Sequence, residues 1–402
     1  MASKPQFACL RCASRRLQTH PPRQSPRHIR QTNRSFSRST YLSSDTVLAS
    51  GRAKSEFESA HKYCLDLVRK YDRPSYTLST FIPRRSTNFH LALRALNISL
   101  SQIPDTTSTP TIGLMRLQFW RDTITRTLSG HPPKEPIAIL LASAISDLST
   151  RTDGRARISK SWFLRMINAR EQYLTNTPYT SLSTLESYAE ATYSTLLYLT
   201  LASLPLTSLT ADHLASHIGK AAGITTVLRG IPLIAFPPPP NHHSNQPGTS
   251  AGAARTGAIT LPLDVMAEAG VKEEDVFRHG ADAPGLRDAV FTVATRASDH
   301  LITARQMLVN LRAGQEVGHA FEHEGEEGHE YDDSIQEGGG GSVSRQLEEV
   351  ERAFGVLMPA VSTGLWLERL QGVDFDVFRP ELRVADWRLP WRAYWGFRRR
   401  MF

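Results

Sequence analysis

Two histidines four residues apart, His213 and His217, stand beside Asp212 and are the side chains best placed by type and spacing to do chemistry. On a helix that spacing presents two imidazoles on one face, where they could share a metal ion. No third ligand follows in the pattern, so helix capping and packing are the competing roles. His319, His323 and His329 lie among glutamates, but they lack the His-Glu-x-x-His arrangement that puts two ligands and a general base on one helix. Their alternative reading is solvated filler. Cys9 and Cys12 form a Cys-x-x-Cys with no second pair to complete a zinc site. Two carboxylates, Asp105 and Glu190, and one arginine in an apolar run, Arg229 in GITTVLRGIPLI (223–234), complete the candidates.

The elements that must position these groups are helices. Apolar residues recur at helical spacing over 57–71, 87–103, 111–129, 160–175, 211–230, 285–313 and 345–370, and β-alternation is scarce. Ser183-Thr184-Leu185-Glu186 reads as a capping box that opens a long helix ending at Pro205. Segments 236–257 (Pro, Asn, His, Ser, Gly) and 313–344 (Gly and acidic residues) cannot supply a core and read as solvated insertions. No window reaches the roughly 18–20 apolar residues of a membrane span. The best candidate, LLYLTLASLPL (196–206), is short and reads as a buried helix. The expectation is an all-α bundle without a parallel sheet.

The stretch SHIGKAAGITTVLRGIPLI (216–234) resembles the second catalytic helix of squalene and phytoene synthases, with Gly219, Ala221, Thr225, Leu228 and Arg229 in the matching positions. Gly230, Leu233 and Ile234 stand where that family carries acidic residues. The family's first acidic motif is matched by Ser101, Gln102 and Asp105, the last beside a Pro104 that disfavours continuing the helix. Ser75–Leu100 and ITLPLDVMAEAG (259–270) are similar to further family segments. The phrases IGLMRLQFW (112–120), YAEATYSTLLYLTL (188–201), HLASHIGKAAGI (213–224) and VDFDVF (373–378) resemble a non-catalytic branch that assists assembly of mitochondrial complex I.

The resemblance implies an isoprenoid-synthase-like helical domain over 55–402 and partners among complex I subunits or assembly intermediates. Mg²⁺ binds through oxygen ligands, chiefly carboxylates, and the aligned positions offer one. No catalytic residue, cofactor or metal is therefore expected. Asn97, Gln102, Asp105, Arg116 and Arg229 are expected to line a vestigial cavity able to hold an anion or lipid, or else filled by side chains. The alternative functions are a prenyl-diphosphate transferase relying on Asp105 and Glu190, and an isoprenoid or lipid carrier using Arg229 for the head group.

The net charge of +8 would suggest a nucleic-acid partner, but residues 1–36 carry eight basic side chains and no acid, which leaves the rest near neutral and argues against one. That Arg- and Ser-rich beginning has the composition of a mitochondrial transit peptide, with processing expected near Phe36 and a linker over 37–54. Cys64 alone remains after such processing and excludes an internal disulfide, as suits a reducing matrix. The end of the chain, DWRLPWRAYWGFRRRMF, combines Trp387, Trp391 and Trp395 with Arg398, Arg399 and Arg400. Aromatic rings interleaved with arginines suit a bilayer interface bearing anionic lipid. Peripheral attachment at the matrix face of the inner membrane is the expectation, against a plain last helix of the bundle.

Overall fold

Proline, serine and glycine punctuation divides the apolar sequence into helices, and among the described residues there is no β-strand. The computed structural model describes residues 43–107, 109–206, 208–237, 257–315 and 339–402. The expected transit peptide, Cys9, Cys12, most of both insertions and the histidines at 319, 323 and 329 lie outside these residues. The longer helices are α1 (Ser43–Tyr71), α2 (Thr87–Ser101), α3 (Pro110–Leu128), α4 (Pro136–Arg151), α5 (Lys160–Gln172) and α6 (Leu182–Ala189). They continue with α7 (Thr195–Ala202), α8 (Leu209–Ala235), α9 (Leu286–Arg312), α10 (Gly339–Leu357), α11 (Pro359–Gly372) and α12 (Leu389–Arg399).

Several boundaries differ from the sequence reading. Helix α1 already runs through the second half of the expected linker. The 345–370 segment is two helices, because Pro359 has no N–H to carry the ladder past Met358. Helix α4 was not anticipated, since PIAILLASAISDLSTR is so uniformly apolar and small that no stripe stands out. The capping box is displaced: the Ser181 hydroxyl accepts from the Thr184 N–H at 3.2 Å, and Glu186 faces another helix.

Helix α8 is the axis of the bundle, packed against α9, α11, α10 and the continuous α6–α7 rod. Its first half, with Leu214 and Ile218, meets Leu308, Phe354 and Leu357. Its second half, with Ile224, Leu228 and Ile231, meets Val290, Val293 and Leu370. A third core surrounds α2, where Leu93 and Leu96 pack on Leu140, Leu141 and Phe163. Among the described residues, α8 and not 196–206 is the one helix long and apolar enough to cross a membrane, yet 56% of its most apolar window is buried in the protein. It passes that test because a central helix must be apolar nearly all round.

The rod between α6 and α7 widens into a π-turn over Glu190–Ser194. Gly219 and Gly223 of α8 lie directly against it: a Cβ on Gly219 would sit 2.3 Å from Ser194 Cα, and one on Gly223 would sit 2.5 Å from Ala189 Cβ. The buried Glu190 carboxylate accepts from Tyr198 Oη at 2.5 Å and Ser216 Oγ at 2.9 Å, tying the turn to α8. Cys64 is buried, and burial pushes its thiol up to about 12.

A polar relay joins α6, α8 and α9. His217 Nδ1 lies 3.0 Å from His300 Nδ1, His300 Nε2 lies 2.7 Å from Glu186 Oε1, and Arg296 Nε donates to the same oxygen at 2.6 Å. Burial alone would raise the Glu186 pKa, but the bonds from His300 and Arg296 outweigh it and hold the group at about 2. A depressed folded-state pKa contributes stability that is fully present above the ordinary carboxylate range and is lost as pH falls through about 2. Glu186→Gln should therefore cost about 3 kcal/mol at pH 7. Denaturant titrations at falling pH should show the gap to wild type closing below about pH 4.5, the group's ordinary value; a gap that stays constant down to about pH 3 would refute the assignment.

Candidate functional site

An internal cavity of about 630 Å³ opens between α2, α5, the π-turn, α8 and α11. Of the residues expected to line it, Asn97, Asp105 and Arg229 do. Gln102 and Arg116 do not. Gln102 closes the C-terminus of α2, its N–H bonding the Ile98 carbonyl, because Pro104 begins a separate short helix, Ile103–Thr106. Arg116 is exposed on α3 and donates from Nη1 to Thr106 Oγ1 at 2.7 Å. Glu190 lies in the π-turn network instead of the cavity wall, so Asp105 and Glu190 do not form a shared ligand set.

The cavity wall holds charged groups that sequence reasoning passed over. Arg94 sits on α2 among buried leucines and pairs with Asp72 at 3.9 Å. Asp72 also caps the short helix Arg73–Leu78 by accepting from the Ser75 N–H at 3.1 Å. Arg170 on α5 donates to Asn97 Oδ1 at 2.9 Å and stacks on the rings of Tyr188 and Tyr193, 5.6 and 5.9 Å from its guanidinium carbon. Burial would lower the Arg170 pKa, but the surrounding tyrosine oxygens more than offset it, so the guanidinium is a buried cation among neutral partners. Burial likewise pushes the hydroxyls of Tyr179 and Tyr188 upward and keeps them protonated.

Arg229 presents its surface to the cavity while protein surrounds it. That desolvation lowers its pKa, with Asp72 and Tyr193 acting the other way and Arg369 reinforcing it. A guanidinium nevertheless remains charged at physiological pH. Arg383 adds a further cation at the rim. The only signal for this set in the sequence is an arginine inside an apolar run, as in LALRAL (91–96).

Carboxylates on the described wall are Asp72, already engaged by Arg94, and Asp105, which is exposed at the mouth. Four arginines face these two acids. Gly230, Leu233 and Ile234 also line the cavity and carry no oxygen on their side chains. Among the described residues no group of three or more His, Cys, Asp or Glu could hold a metal. A magnesium cluster of the kind that acidic motifs would hold does not fit this donor set, because hard cations need several carboxylate oxygens and are repelled by guanidinium groups.

His213 and His217 have ring centroids 5.0 Å apart, and His217 points into the relay with His300. Ser208, not Asp212, supplies the side-chain cap of α8 by accepting from the Ala211 N–H.

At the end of the chain, α12 buries Leu389 and Ala393 and presents Trp391 and Trp395 one turn apart, with Trp387 in the turn just before the helix; the three are 66%, 53% and 78% exposed. Arg398 donates to Tyr394 Oη at 3.3 Å and Arg399 lies 5.6 Å from the Trp395 ring, both on the outer side. Arg400 departs from the expected membrane-facing set. It takes a left-handed conformation that ends α12, and its guanidinium lies 4.2 Å from the Phe397 ring and 5.5 Å from Phe354.

The squalene/phytoene synthase profile matches residues 68–395. The chain is 35% identical over 335 residues to NADH dehydrogenase (ubiquinone) complex I, assembly factor 6, of Rattus norvegicus, covering 83% of this chain and 81% of the relative. It is 33% identical over 332 residues to the Homo sapiens protein of that name, with 83% and 80% covered. A dehydrosqualene synthase crystal structure superposes with a TM-score of 0.58 at 13% identity over 85% of this chain and 96% of that one. A squalene synthase from Alicyclobacillus acidocaldarius gives 0.54 at 14% identity, with 80% and 97% covered. At such identities the superpositions establish the all-α isoprenoid-synthase fold alone.

Proposed function

The chain belongs to the squalene/phytoene synthase family, and from that premise we propose that it is an assembly factor for mitochondrial respiratory complex I, acting on an early intermediate without prenyl-transfer chemistry. The observation that carries this reading is the 33–35% identity, over 83% of the chain, to proteins named as complex I assembly factor 6. The cavity wall supports the non-catalytic half of it. Ionising an allylic diphosphate requires metal to neutralise the leaving group, and a wall with four arginines and two acids offers no place for it.

The location proposed is the matrix face of the inner membrane, reached through the arginine-rich segment 1–36 and held peripherally by α12. A stripe of three exposed tryptophans flanked by Arg398 and Arg399 matches the boundary between anionic head groups and acyl chains.

The test is blue-native electrophoresis of respiratory complexes from a strain lacking this gene, complemented with wild type or Asp105→Ala. Complex I should be lost selectively in the deletion, and both versions should restore it fully. Normal complex I in the deletion strain would defeat the assembly reading. Failure of Asp105→Ala at normal protein level would instead revive the transferase, which needs that carboxylate.

A further inference from the structure

We propose that the outward face of α3 docks an amphipathic helix of a partner protein whose apolar stripe is bordered by carboxylates. This rests on the assembly reading and adds to it the surface by which an intermediate is held. Helix α3 turns Gly113, Leu117, Trp120, Ile124 and Thr127 into the bundle, and its packing is complete through that face. On the other side Ile112, Met115 and Phe119 are 41%, 67% and 49% exposed. At about 100° per residue the three fall within an arc of about 60°, and they span about 10 Å along the helix axis. Anchors at i, i+3 and i+7 are the pattern by which one helix packs against another. Contiguous apolar side chains left in water by a fold that does not need them there mark a contact surface.

The charges around the stripe say what covers it. Arg116 borders it between Met115 and Phe119, and Asp122 and Arg126 continue its line toward the end of the helix. Among the described residues neither arginine forms an ion pair: the Arg116 guanidinium donates to the Thr106 hydroxyl, and Asp122 accepts from Gln118 Nε2 at 3.0 Å. The complementary surface therefore carries carboxylates opposite Arg116 and Arg126. An anionic bilayer does not match, because Asp122 would face its head groups one turn from Phe119. Helix α12, the membrane contact proposed above, carries no acid. The apolar groups differ as well. Indoles favour the bilayer boundary, and α12 exposes two of them, whereas the α3 stripe consists of Ile, Met and Phe. Met and Phe are enriched at the centres of protein interfaces, where the flexible thioether adapts to its partner.

Site-specific photo-crosslinking tests this, with p-benzoylphenylalanine replacing Met115 in the otherwise intact chain, introduced into mitochondria of the strain lacking this gene. The expected product is a light-dependent adduct with a complex I subunit, mapping to a helical segment with carboxylates beside its apolar side. Arg116→Glu/Arg126→Glu in the same chain should cut the yield at least about tenfold. Both arginines are exposed, so the fold should tolerate their replacement. Separately, Met115→Ser/Phe119→Ser should accumulate to the wild-type level, keep vesicle binding, and restore less than about a tenth of complex I. The proposal is overturned if the adduct is with a second copy of this chain or with lipid, if none forms, if charge reversal leaves its yield unchanged, or if the double serine variant restores complex I fully. Should that variant fail to accumulate, the adduct and its response to charge reversal decide alone. Normal complex I in the strain lacking the gene defeats the assembly reading and the docking with it; selective loss with full rescue by the double serine variant defeats the docking only.

Discussion

Replacing Trp387, Trp391 and Trp395 together by alanine is expected to release the protein from anionic vesicles while leaving its folding stability unchanged. Each ring is more than half exposed, so little packing is lost from the folded state. On a bilayer each ring would remove apolar area from water at roughly 25 cal/mol per Å², or about 1–2 kcal/mol for a partly inserted indole. Three rings acting together amount to a fall in partitioning on the order of a hundredfold or more. Arg398 and Arg399 add about 1 kcal/mol each near an anionic surface, a contribution that salt screens. The double variant Arg398→Gln/Arg399→Gln should therefore bind more weakly at low salt and match wild type at high salt. Arg400→Gln should behave differently, lowering stability through its lost contacts with Phe397 and Phe354 and leaving vesicle binding intact. Co-sedimentation with cardiolipin-containing vesicles reads all three. If the triple tryptophan variant sediments with vesicles as wild type does, α12 is not the membrane contact.

How far the site could be read in advance follows from what each residue depends on. Helical periodicity is local, so α2, α3, α5, α8 and α9 were legible nearly to their ends. Arg229 was legible too, because a charge in an apolar helix has to be explained. Arg116 carries the same charge on a similar helix, yet points to Thr106 outside the cavity, since its orientation depends on how α3 packs on α5. Arg170 and Asp72 were missed for the converse reason. Their importance arises only when α5 and the end of α1 are brought to the same wall as α2, which no local spacing encodes. Arg400 belongs to the same class: one left-handed residue turns it inward from a basic run whose other members face out.

The other large effect is expected within α8, where two glycines should respond to alanine with opposite signs. In a helix interior alanine is favoured over glycine by about 1 kcal/mol, so propensity alone makes both substitutions stabilising. At Gly230 a Cβ would meet only Ile234 Cδ1 at 3.6 Å, an ordinary contact, and Gly230→Ala should gain about 0.5–1 kcal/mol. At Gly219 it would lie 2.3 Å from Ser194 Cα and 2.5 Å from Ser194 N, which are backbone atoms of the π-turn and cannot rotate away. Relief requires separating α8 from the rod, which strains the Glu190–Ser216 hydrogen bond and the Ser194 Oγ bond to the Ser216 carbonyl. Gly219→Ala should therefore lose about 3 kcal/mol or more despite its better propensity. Chemical denaturation of the two variants beside wild type decides it, and equal stability at Gly219 would show that the close approach is not required. The predicted contrast thus separates a glycine whose α-carbon faces open space from one held against the π-turn by helix packing, and places the constraint on α8 at the latter.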